Sequence, residues 1–272
     1  MKTIIIPTDF SPSAINAMNY AADMAIAINA SVLLFHVYSV PISMTDVPVM
    51  LVSVDELGKS ARLQMEELTQ KLEHVVSGKV PVSYETKLGD TIDELEALCE
   101  RVQPFAVVMG ARGMTGLDAL LGSTTLAAVR RIKWPVVCVP IGKEYGAGIH
   151  KIGLACDFKD VETTPAGTIK DVTENFSAAL HVLNVDRKHE NDNGNKETQL
   201  LQSMLESSKP VYDFIDHENV EEGISEFAEK NNLDLLIVIP KKHNFWERLF
   251  NKSSTKQLVS HSHIPVMCIH EN

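Results

Sequence analysis

Short, continuously apolar runs alternate along this chain with longer stretches whose apolar residues recur every three or four positions. The runs Lys2 to Phe10 (KTIIIPTDF), Ser31 to Val37 (SVLLFHV), Phe105 to Gly110 (FAVVMG) and Trp134 to Val139 (WPVVCV) read as buried strands. Between the first two, Ser13 to Ala30 sets Ala14, Ala17, Met18, Ala21, Ala22, Met24, Ala25 and Ile28 on one helical stripe, opened by Ser11-Pro12-Ser13 as cap and first turn. A second helix is expected over Asp55 to Val76, with Leu57, Ala61, Met65, Leu68 and Leu72 on its apolar face. A third is expected from Gly89-Asp90-Thr91, where Thr91 and Glu94 have the spacing of a capping box, and a fourth after Gly122-Ser123. Strands apolar on both faces and separated by helices predict a parallel sheet, covered on both sides and joined by right-handed crossovers.

The pattern occurs twice. Lys151 to Phe158 (KIGLACDF) repeats the first strand, with Asp157 matching Asp9, and Ala179 to Val185 (ALHVLNV) repeats the second. Leu235 to Pro240 (LLIVIP) and Ile264 to Ile269 (IPVMCI) repeat the last two strands at one shared offset of 130 residues. The 272 residues therefore divide into two copies of one α/β unit, at 1–142 and 149–272, joined by a linker holding Gly142, Gly146 and Gly148.

A strand ending in Pro7-Thr8-Asp9-Phe10-Ser11, a second ending in His36-Val37, and a later strand opening into Gly110-Ala111-Arg112-Gly113 and Gly122-Ser123-Thr124-Thr125 resemble the universal stress protein family. The resemblance covers both halves. It implies two tandem Rossmann-like domains of the adenine nucleotide alpha hydrolase-like kind, each an open, twisted, parallel five-stranded sheet flanked by helices. The family's signature is G-x2-G-x9-G-[ST]; here eight residues, one fewer, separate Gly113 from Gly122. By resemblance, Asp9 and the backbone of Val37 hold the adenosine part of ATP, AMP or ADP, and Pro7, Thr8 and Met109 belong to the same nucleotide site. Gly110, Arg112, Gly113, Gly122, Ser123 and Thr124 lie on the phosphates, with or without Mg²⁺. Pairing of the domains through Val136–Val139 and Val266–Ile269 is implied as well, and a homodimer is left open.

The residues support that site on physical grounds. In an open parallel sheet, ligands bind beyond the strand carboxyl ends where the strand order reverses, so Asp9, Val37 and Gly110 are expected to converge. Glycines admit an anion close to backbone N–H groups, and the helix after Gly122 offers free amides and a favourable dipole. Without G-x4-G-K-[ST], no lysine is supplied to a transferring phosphate. The second copy departs from the pattern. At the 130-residue offset, Gly110, Gly113 and Gly122 become Pro240, His243 and Lys252, whereas Ser123 and Thr125 persist as Ser253 and Thr255. One competent nucleotide site and one degenerate domain are expected, with the basic, aromatic Lys241 to Arg248 stretch a solvated loop.

Composition narrows the remaining classes. With 25 Lys and Arg against 36 Asp and Glu, the net charge of −11 argues against a broad nucleic-acid footprint. Cys99, Cys138, Cys156 and Cys268 form no CxxC pair and fit a reducing compartment. No run reaches the length of a signal peptide's apolar region or a membrane span, so a cytoplasmic protein is expected. His261, His263 and His270 read as surface histidines rather than metal ligands, residues 187–196 as a polar loop, and 41–50 as an apolar loop that is either a lid, a partner surface or tucked-in chain. No nucleophile motif such as G-x-S-x-G joins Ser11, Ser123, His36 and Asp9, which makes catalysis the minority reading. Two alternatives stay open: an interaction scaffold without nucleotide, and slow ATP hydrolysis.

Overall fold

The computed structural model describes residues 1–40, 53–111, 122–186, 196–240 and 264–271. In the first half, β1 (Thr3–Pro7), β2 (Ser31–Tyr38), β3 (Val82–Leu88), β4 (Ala106–Gly110) and β5 (Val136–Val139) alternate with α1 (Pro12–Ala27), α2 (Val54–Val76), α3 (Thr91–Val102) and α4 (Ser123–Arg131). The second half contributes β6 (Lys151–Ala155), β7 (Ala179–Asp186), β8 (Val211–Asp216), β9 (Leu235–Val238) and β10 (Val266–Cys268), with α5 (Ala166–Phe176), α6 (Lys196–Leu205) and α7 (Val220–Lys230).

The strand order is β3-β2-β1-β4-β5-β10-β9-β6-β7-β8, a single sheet made of two parallel five-stranded halves. The two halves meet where β10 runs antiparallel to β5, with Val266 opposite Cys138, Met267 opposite Val137 and Cys268 opposite Val136. Successive strand residues serve opposite faces. Ile4, Ile6, Val108, Val137, Val139, Met267, Ile237 and Leu154 line the face covered by α1, α2, α5 and α6. Ile5, Val107, Met109, Val136, Cys138, Cys268 and Leu236 line the face covered by α3, α4 and α7. Both cores run without a break across the β5–β10 junction.

The helices begin where their caps dictate. Ser11 accepts the Ala14 N–H and Pro12 takes the first position of α1, which ends at Ala27, so Ile28 lies just beyond it. Ser53 and Glu56 form a reciprocal capping box on α2. For α3 the cap is Asp90, whose carboxylate accepts the N–H groups of Ile92 and Asp93; Thr91 is the first helical residue and not the cap. An ionised carboxylate satisfies two orphan amides at a positive helix end better than a hydroxyl does. The strands β3 and β8, at the outer edges, carry no apolar run because they are only partly buried.

Candidate functional site

Strand order reverses beside β1, which pairs with β2 on one side and β4 on the other. Counting on from Ile5 opposite Val107, Pro7 lies level with Met109, and Thr8 level with Gly110. Pro7 likewise pairs with Phe35, which sets Asp9 level with Val37. The carboxyl ends of three neighbouring strands thus bring Pro7, Thr8, Asp9, Val37, Met109 and Gly110 to one edge of the sheet. Arg112 and Gly113 lie outside the described residues.

A tight turn leaves β1. The Thr8 N–H donates to the Phe35 carbonyl at 2.8 Å, and the His36 ring Nδ1 lies 2.8 Å from the Thr8 carbonyl. Thr8 Oγ1 accepts the Phe10 N–H at 3.0 Å, and the exposed carboxylate of Asp9 accepts the Ser11 N–H at 3.0 Å, an Asx turn that feeds α1. Phe10 takes the left-handed conformation at φ 62° and its ring packs 4.6 Å from that of His36.

Gly110 is held from both faces. On one, Ser13 in the first turn of α1 occupies the space a side chain would need: a Cβ there would stand 2.2 Å from Ser13 Oγ and 2.6 Å from its carbonyl oxygen. On the other, Thr125 Oγ1 donates to the Gly110 carbonyl at 3.1 Å and anchors the first turn of α4 to the end of β4. The absent side chain at Gly110 therefore serves helix packing. Thr125, which was not among the expected site residues, is the one that ties α4 to the strand; its persistence as Thr255 was the signal in the sequence.

The start of α4 suits an anion. Gly122 is the N-cap and offers no side-chain acceptor; the first turn holds no acidic residue, and Ser123 and Thr124 are exposed. The first helical bond runs from the Leu126 N–H to the Gly122 carbonyl, which leaves the amides of Ser123, Thr124 and Thr125 without intrahelical acceptors. Arg130 and Arg131 close the other end, complementing the dipole.

The second half repeats the turn. The Cys156 N–H donates to the Leu183 carbonyl at 2.9 Å, the Phe158 N–H to Cys156 Sγ at 3.4 Å, and the Lys159 N–H to the Asp157 carboxylate at 3.1 Å. Asn184 replaces His36 and donates to the Cys156 carbonyl at 2.9 Å. Pro240 ends the described chain there; Lys241 to Arg248, Lys252, Ser253 and Thr255 lie outside the described residues, as do residues 41–50, 187–195, His261 and His263. His270, expected as a surface histidine, is instead partly buried, with Nε2 2.9 Å from the carbonyl of Val129 in α4.

Two parallel α/β units, each doubly wound and the first with an uncapped helix start at its strand switch point, define a tandem Rossmann-like protein. The family model of the universal stress protein family matches residues 1–140 and again 148–270, so the chain belongs to that family. Among solved structures, a universal stress protein from Archaeoglobus fulgidus DSM 4304 covers 98% of this chain and 98% of its own, at 17% identity and a TM-score of 0.75. A putative universal stress protein from Pseudomonas aeruginosa UCBPP-PA14 covers 100% of this chain and 94% of its own, at 13% identity and a TM-score of 0.60. Both show the tandem fold. No curated protein matches the chain in sequence. Among the described residues, no helix is long and apolar enough to cross a membrane.

Proposed function

We propose that the first domain binds an adenine nucleotide, ATP or its AMP or ADP relatives, and that the chain works as a nucleotide-dependent stress-response module. The observation that carries this reading is the start of α4: a helix end with no side-chain cap and no acidic residue, tied by Thr125 to the strand end beside the sheet's switch point. Ser123 and Thr124, with Gly110 and Gly122, would meet phosphate oxygens, and Arg112 and Gly113 complete the motif. Asp9 and Val37, on the same edge, would meet the adenosine part. A nucleotide bound there brings its own charge and Mg²⁺; the chain supplies amides, hydroxyls and shape. The domains in this reading are 1–142 and 149–272, paired through β5 and β10 so that the junction is filled within one chain. Four free cysteines favour a reducing, cytoplasmic setting.

A second reading has a specific observation behind it. Gly110 is required by Ser13, and the Asp9 turn recurs at Asp157 beside a motif without glycines, so both features are also met by a scaffold that binds no nucleotide. Calorimetric titration of ATP, with and without Mg²⁺, separates the two. The wild type is expected to bind and the Gly113→Val/Gly122→Val variant not to bind. Equal affinity of the two proteins would remove the site assignment. A melting temperature unmoved by excess ATP would favour the scaffold, because a ligand selective for the native state must stabilise it. Phosphate release that disappears in the double variant would add hydrolysis.

A further inference from the structure

Helix α4 is held at each end by a different domain. At its start, Thr125 Oγ1 donates to the Gly110 carbonyl within the first domain. At its end, the Ile132 N–H closes the last helical bond on Ala128, and the next carbonyl, that of Val129, meets His270 Nε2 from the second domain at 2.9 Å. A carbonyl only accepts, so the imidazole carries its proton on Nε2. A donor at this point satisfies one of the orphan carbonyls of a helix carboxyl end.

The imidazole has little freedom to miss its target. His270 follows Ile269, whose N–H donates to the Val238 carbonyl at 3.1 Å, and β10 is locked in register against both β5 and β9. At the 130-residue offset the first domain has Pro140 where the second has His270, and a proline side chain has no donor to return. The end of α4 also packs into the core through Ala128, Val129 and Ile132 and carries the exposed pairs of Arg131 with Asp93 and Glu96, of a kind that contributes little in water.

We infer that His270 is a positioning residue: through it the second domain sets the placement of α4, and with it the helix start that carries the candidate anion site. A domain without its own glycine cradle then acts on the cradle of its neighbour. The nucleotide arm of this inference rests on the proposed function; the placement of α4 does not.

The experiment compares full-length wild type, His270→Ala and His270→Gln by hydrogen exchange over α4 and by ATP titration. Removing the donor is expected to speed exchange of the Leu126–Ile132 amides several-fold and weaken ATP binding several-fold, with His270→Gln, which keeps an N–H donor, restoring both. A purely structural loss would lower the melting temperature and leave the affinity of the folded protein at the wild-type value. Wild-type exchange rates in His270→Ala overturn the positioning of α4. Faster exchange with unchanged ATP affinity overturns its link to the site. If the wild type binds no adenine nucleotide, the proposed function falls, and the exchange arm alone upholds or overturns the role of His270.

Discussion

The turn after the first strand is written twice in this chain, once with Thr8, Asp9 and Phe10 and once with Cys156, Asp157 and Phe158. In each copy the aspartate accepts the N–H two residues on, and the phenylalanine adopts positive φ, 62° in one and 52° in the other. A non-glycine residue in that conformation is retained where the surroundings over-determine it. Here the strand-end bonds to Phe35 or Leu183 and the sulfur or hydroxyl acceptor do so. The turn is therefore part of the fold, and any use of Asp9 toward a ligand is added to it. Gly110 carries a similar lesson. Gly110→Ala would drive a methyl into Ser13 backbone and is expected to destabilise the protein by about 1–3 kcal/mol, measured by urea unfolding. Wild-type stability would show that the first turn of α1 can retreat. Gly122, at φ −54° and ψ 143°, has a backbone open to any residue, so it is the cleaner position for testing ligand contact.

At the scale of elements, the helices bury ionisable groups on their packing faces. Cys99 of α3 is enclosed against the sheet, and burial pushes its thiol up to about 12. Tyr145 in the linker packs edge-on to Tyr20 of α1 at 5.2 Å; burial raises Tyr145 to about 12 and raises Tyr20 as well. The hydrogen bond with the Cys268 thiol across the β5–β10 junction, and after it burial, raise Cys138 as well. In all four the folded state holds the proton more tightly than the unfolded chain. Their contribution is complete below the ordinary thiol and phenol range and falls as pH rises above about 9, that of Cys99 and Tyr145 being lost through about 12. The urea midpoint is expected to stay level up to about pH 9 and then fall; a level midpoint through that window would mean these groups are not buried as described. At the start of α3 the local chemistry decides the cap. Thr91 has the spacing of a capping box, but Asp90 one residue earlier is the better acceptor for two amides and takes the cap.

Across the whole molecule, the decisive feature is that two sheets become one. The β5–β10 pair leaves no interior edge, and the outer edges fall to the partly buried β3 and β8. Two further contacts cross between the halves: Lys2 reaches Asn175, and Phe105, whose ring centre lies 5.6 Å from the Lys2 ammonium, meets Phe176 edge-on at 6.2 Å. With two unbroken cores over the junction, the chain is expected to unfold in one calorimetric transition, with equal calorimetric and van't Hoff enthalpies. Two resolved transitions would show that the junction is weaker than either half.

Much of this was legible from the residues. Apolar periodicity marked eight of the ten strands among the described residues and the tandem repeat, because a strand covered on both faces must be continuously apolar. It missed β3 and β8, because an edge strand exposed to water needs no such run. The glycines and the Gly122-Ser123-Thr124 start of α4 were visible as an anion-binding pattern, since amide access and helix polarity follow from local sequence. The persistence of Thr125 as Thr255 marked that residue without showing its partner; that it bonds to Gly110, that Ser13 demands the glycine there, and that His270 caps a helix 141 residues away in the other domain could not be read along the chain. Those contacts join residues far apart in sequence, and their distances exist only once strand order and register have brought two helices and two domains together.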